Sequence, residues 1–141
     1  MPSPSRMVSA AYEQLDLARH VLAEAMTTVV PGDRYAAAHR SALHTTAAVL
    51  AVRTRPVATR KPRSAWALLP QVAPELTEWA AFFAAGAGKR AAAEAGLTRA
   101  VSPREADDLL RDAQTFLALV ETTLGIDHQP VLPHLAPQAA S

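Results

Sequence analysis

Ser102-Pro-Arg-Glu105 opens, and Gly125 closes, one stretch of apolar residues, and this pair of signals constrains the fold more than anything else in the chain. A serine hydroxyl ahead of a helix accepts from a backbone N–H of the first turn. Proline suits the first helical position, and Glu105 completes a capping box. Between the signals, Ala106, Leu109, Leu110, Ala113, Phe116, Leu117, Val120 and Leu124 recur at helical spacing and form one apolar face. Glycine accepts the left-handed conformation that ends a helix. A helix this one-sided needs other helices to cover it.

The remainder of the chain supplies them. Residues 1–8 are expected to be disordered, and Ser9 to cap a first helix that runs to about Thr28 on a stripe of Leu15, Ala18, Leu22 and Ala25. Val30-Pro31-Gly32 reads as a turn, and Asp33 as the cap of a second helix ending near Val52. Ser64 starts a short helical turn through Trp66, Leu68 and Leu69. Pro70 and Pro74 delimit a reset before a third long helix, which carries Leu76, Trp79, Phe82 and Phe83 to about Ala95. Residues 126–141 contain Pro130, Pro133 and Pro137 and read as a flexible tail. No strand alternation is present. The expected fold is therefore all-α, an up-and-down bundle of four to five helices over residues 9–125.

At 141 residues the chain supports one domain, but half of it is hydrophobic largely through alanine, which buries little area. The core must rest on the leucines, Trp66, Trp79, Phe82, Phe83 and Phe116. Gly86 and Gly88 cost helix stability, so they imply a close helix contact, within the subunit or between subunits, or a local kink.

Composition narrows the chemistry. A net charge of +1 argues against a general coat for nucleic acid, and the absence of cysteine excludes disulfides, thiolate metal sites and cysteine catalysis. No signal peptide or membrane-spanning run is evident, so the expected location is cytoplasmic. His20, His39 and His44 lack metal-ligand spacing, and no cofactor is expected. Asp107 and Asp108 sit in the first turn of the last helix, where the dipole favours acids. Their expected partners, four residues away, are Arg111 for Asp107 and Arg104 for Asp108. One segment stands apart in charge: Arg53, Arg55, Arg60, Lys61 and Arg63 fall within eleven residues that hold no acid. Such a segment suits phosphates of RNA or an acidic protein partner.

Three segments carry a family resemblance: Asp33-Arg-Tyr-Ala-Ala-Ala-His-Arg-Ser-Ala-Leu-His44 and onward to Leu50, Ala73-Pro-Glu-Leu-Thr-Glu-Trp79 to Gly86, and Arg104 to Leu117. Their order resembles the HEPN superfamily of small all-α domains, particularly stand-alone members from actinobacteria. The resemblance implies a bundle of four or five helices that often pairs into a homodimer. Many such proteins are metal-independent ribonucleases with an Arg, four to six residues and a His near the start of a late helix. Others lack that motif and bind RNA or protein. Here the spacing occurs as Arg34 and His39, at the start of the second helix, while the late segment Lys89 to Gly96 contains no His. The expected function is thus a small non-catalytic binding module for RNA or a partner protein. The alternatives are an endoribonuclease using Arg34 and His39, and a structural dimeric adaptor.

Overall fold

The computed structural model describes residues 3–53 and 64–133. These form α1 (Pro4–Thr27), α2 (Pro31–Arg53), α3 (Ala65–Val72), α4 (Thr77–Glu94) and α5 (Pro103–Thr123), with a 3-10 turn at Pro74–Leu76. There is no strand among the described residues. The architecture is an all-α bundle in which α1 and α4 run antiparallel to α2 and α5, with α3 a short bridge between the two halves.

Helix starts follow a repeated device. At α5 the full capping box is present: the Glu105 N–H donates to Ser102 Oγ (3.1 Å) and the Ser102 N–H to Glu105 Oε1 (3.0 Å). The same Ser-Pro pair begins α1, where Ser3 Oγ accepts from the Arg6 N–H at 3.3 Å. Helix therefore starts at Pro4, and the expectation of disorder through residue 8 with a cap at Ser9 is corrected. The early turn carries exposed Ser5 and Arg6, so it shows no apolar periodicity to reveal it. Likewise α2 starts at Pro31, with Asp33 in its first turn rather than as its cap. Ser64 caps α3, its hydroxyl accepting from the Ala67 N–H at 3.2 Å, and the helix continues through Pro70 to Val72. Gly125, at φ +70°, ends the last helical turn as its composition implies.

Helix α2 is the centre. Tyr35, Ala36, Ala37, Ala38 and His39 are all buried, and five consecutive residues at 3.6 per turn pass right round a helix. Small side chains permit this. Ala11, Ala18 and Ala25 of α1 and Ala38, Ala42 and Ala48 of α2 are essentially inaccessible. The Ser41 hydroxyl donates across the α1–α2 contact to the Ala18 carbonyl at 2.7 Å. On the α4 side, a Cβ at Gly86 would lie 2.7 Å from Tyr35 Oη. Gly86 is thus required for close approach within the subunit, whereas a Cβ at Gly88 would meet nothing within 4 Å.

The bulky core is an aromatic stack. Phe83 lies 5.3 Å from Trp66 and 5.1 Å from Phe116, and Trp79 lies 5.4 Å from Phe116, between ring centroids. Phe82 is not part of this core; it is 45% exposed. Neighbouring residues on a helix point about 100° apart, and on α4 Phe83 takes the direction into the bundle while Phe82 points towards solvent. Phe116 is completely buried, and Phe116→Ala should lower unfolding free energy by about 3–5 kcal/mol in urea titration. A loss below about 1 kcal/mol would contradict its place at the centre of the stack.

Candidate functional site

Arg34 and His39 lie five residues apart near the start of α2, and their side chains diverge. His39 is completely buried. Its Nε2 lies 2.8 Å from the Phe83 carbonyl oxygen, which can only accept, so Nε2 carries the proton. Nδ1 is then the acceptor and receives Arg90 Nη1 at 3.3 Å. Trp66 and Phe83 meet the imidazole edge to face at 5.6 and 6.0 Å. Burial depresses the His39 pKa, and the Arg90 charge adds to this, against the opposing effects of the Phe83 carbonyl bond and Glu94. The imidazole is thus held neutral, with both nitrogens used inside the bundle.

Arg34 turns the other way. Its Nε donates to the Thr28 carbonyl at 2.9 Å, and Nη1 forms an ion pair with Asp107. The guanidinium joins the end of α1, the start of α2 and the start of α5. Asp107 is consequently not the partner of Arg111, as i,i+4 spacing implied; Arg111 pairs with Asp108, three residues away. Arg104 Nε lies 4.0 Å from Asp108, as expected from their spacing.

Of the basic segment, Arg53 is described: it pairs with Glu75, and Nη1 reaches the Val72 carbonyl at 3.4 Å. Arg55, Arg60, Lys61 and Arg63 lie outside the described residues. His44 Nδ1 lies 2.9 Å from Gln14 Oε1, an α1–α2 contact. Among the described residues no group of three or more His, Asp or Glu side chains could hold a metal ion.

Sequence reasoning missed a buried charge cluster at the other end of α5. The Glu121 side chain is completely inaccessible. Its Oε2 receives Arg19 Nη2 at 2.9 Å and the Gln129 N–H at 3.1 Å, while Oε1 lies 2.8 Å from His128 Nδ1. Burial pushes this carboxyl up, but the bonds from Arg19, His128 and Gln129 together outweigh it and hold the pKa below the usual glutamate value. The segment after α5 is therefore pinned to the bundle, which revises the reading of a flexible tail for residues 126–133. It closes one side of a groove of about 410 Å³, whose lining includes Leu22, Leu117, His128 and Val131. One signal was present: Glu121 stands on the apolar face, four residues after Leu117.

The buried cluster and two desolvated imidazoles each make a measurable difference. Glu121→Ala leaves the Arg19 guanidinium, 11% exposed, with only the exposed Asp16 as an ionic partner among the described residues. It should cost about 3–5 kcal/mol, as expected for a broken buried ion pair. Hydrogen exchange should accelerate at the Gln129 amide, and an unchanged exchange rate would show that residues 126–133 are held by something else. His39 and His44, in turn, both have depressed pKa values, burial being the largest cause in each. Between the depressed folded values and the ordinary value near 6.5, the unfolded chain binds more protons than the folded one. Stability should thus fall as pH is lowered from 7 to 5.5, with a slope of up to about 1.4 kcal/mol per pH unit per imidazole. A urea midpoint that holds steady or rises over this range would show that folding does not hold these imidazoles neutral.

Comparison with known proteins agrees with this architecture. The SAV_6107-like HEPN family matches over residues 25–121, from the last turn of α1 to the buried Glu121. No curated protein and no solved structure matches the chain. No helix among the described residues is long and apolar enough to cross a membrane. The match spans more than half of the sequence and takes in the central helix with its Arg34 and His39, so the chain belongs to the SAV_6107-like HEPN family.

Proposed function

We propose that this protein is a non-catalytic HEPN module that binds RNA and acts as a homodimer. The observation that carries the non-catalytic reading is the state of His39: completely buried, with Nε2 on the Phe83 carbonyl and Nδ1 facing Arg90. Metal-free RNA cleavage needs an imidazole within reach of a 2′-hydroxyl and a cation beside the phosphate. Arg34 is instead engaged by Thr28 and Asp107. The pair reads as a structural device that fastens α2 to its neighbours.

Charge supports the choice of ligand. Outside residues 53–63 the chain has nine Lys and Arg against thirteen Asp and Glu, whereas that segment has five cations and no acid. An anionic ligand is therefore attracted to one place on an otherwise acidic protein. HEPN domains often dimerise, and two copies would present two basic segments to one RNA, raising the effective concentration for the second contact.

The test is a binding titration with single-stranded RNA in EDTA across several salt concentrations. The RNA should be retained uncut, with affinity falling as salt rises. Replacing Arg60, Lys61 and Arg63 with serine should weaken binding and flatten the log–log salt dependence by about 0.7 for each phosphate that is no longer neutralised. Cleavage that disappears in both Arg34→Ala and His39→Ala variants, with folding intact, would establish the endoribonuclease reading instead. Equal affinities and slopes for the parent and serine variants would remove the segment from RNA binding and leave an acidic protein partner or an adaptor role.

A further inference from the structure

The outward face of α4 differs from those of α1 and α5. Exposed positions on α1 mix Tyr12 and Leu17 with Glu13, Asp16, His20 and Glu24, and those on α5 mix Leu119 with Arg104, Asp107, Arg111 and Thr115. On α4 the ten residues from Trp79 to Gly88 contain no charged side chain and one polar group, the tryptophan N–H. Their solvent side consists of Ala81, Phe82, Ala84, Ala85 and Gly88. Phe82 is 45% exposed, and its ring is steadied edge to face by Trp79 at 6.4 Å and Phe83 at 5.1 Å.

Gly88 points the same way. Within the subunit nothing requires it: a Cβ there meets no atom within 4 Å, and it is not among the positive-φ glycines. It weakens α4 without serving the fold, in contrast to Gly86 beneath Tyr35. A glycine on the surface of a helix makes a flat place where another helix can come close.

We propose that a second copy of this chain docks on this face, with the two α4 helices antiparallel about a two-fold axis at Ala85. The proposal rests on the reading of the protein as a homodimer and assigns its interface. Phe82 and Gly88 lie three residues to either side of Ala85, about 4.5 Å along the axis each way. A two-fold axis there sets Gly88 against the partner's Ala81, small residue on small residue, with Phe82 flanking the contact, and does so twice. An interface of this symmetry must be self-complementary, and this face is. Charge agrees. Glu78 stands at one end of the bare stretch and Lys89 at the other. Antiparallel pairing brings Glu78 towards the partner's Lys89, which also pairs with Glu105 of its own chain, whereas parallel pairing would set Glu78 against its own copy.

The chain has no cysteine, so a single Ala85→Cys substitution reports the axis directly. Under mild oxidation it should form an intermolecular disulfide, because a residue on a two-fold axis meets itself. Thr115→Cys, on the exposed side of α5, should not. Light scattering across a concentration series should show a dimer for the parent protein. It should also show a dissociation constant at least tenfold higher for Phe82→Glu and for Gly88→Leu. The second variant is informative because its side chain enters open space in the subunit, so its thermal stability as a monomer should not fall. A parent protein that is monomeric at every concentration overturns both the homodimer reading and this interface. A parent dimer that persists in both variants, with no crosslink at Ala85→Cys, overturns the interface and leaves the homodimer reading standing.

Discussion

Tyr35 to His39 lie buried without interruption along α2, and a helix covered on all sides must be surrounded by partners that come close. Most of the structure depends on this requirement. Alanine at the contact positions of α1 and α2 lets the axes approach, and Gly86 lets α4 approach Tyr35. The shortfall in buried apolar area is offset at one place, where Trp66, Trp79, Phe83 and Phe116 stack between α3, α4 and α5.

Burying α2 on every side also encloses polar groups, and each then needs a partner. Ser41 donates to the Ala18 carbonyl, and Thr45 to the Ser41 carbonyl one turn earlier. His39 uses Phe83 and Arg90, and Arg34 ties three helix ends together. The same residues that make an Arg–His spacing in the sequence are therefore needed to hold the bundle. Glu121 does the corresponding work at the far end of α5, joining α1 through Arg19 and fixing the segment beyond Gly125.

The proposed function follows from this division. With His39 buried and Arg34 tied to Thr28 and Asp107, the domain has both members of the pair engaged in holding the bundle. What is left for a ligand or partner is the unbalanced charge of the sequence from 53 to 63 and the bare face of α4. Those two features suit a protein that holds an anion and meets a copy of itself.

The sequence by itself determined whatever depends on neighbours a few residues apart. The capping box at Ser102 and Glu105, the inward face of α5 and the turn at Gly125 are local, so their residues specify them directly. The all-α bundle follows, because amphipathic helices with no strand to cover them must cover each other. The start of α1 at Pro4 was legible too, since Ser3-Pro4 repeats Ser102-Pro103, but exposed polar residues after it masked the periodicity. Only tertiary structure decided which side of a helix faced which neighbour. That choice buried His39, left Phe82 outside, gave Asp107 to Arg34 instead of Arg111, and drew Glu121 inside with Arg19 and His128. Each of these is set by contacts between residues far apart in the chain, and spacing along one helix does not encode the partner across the gap.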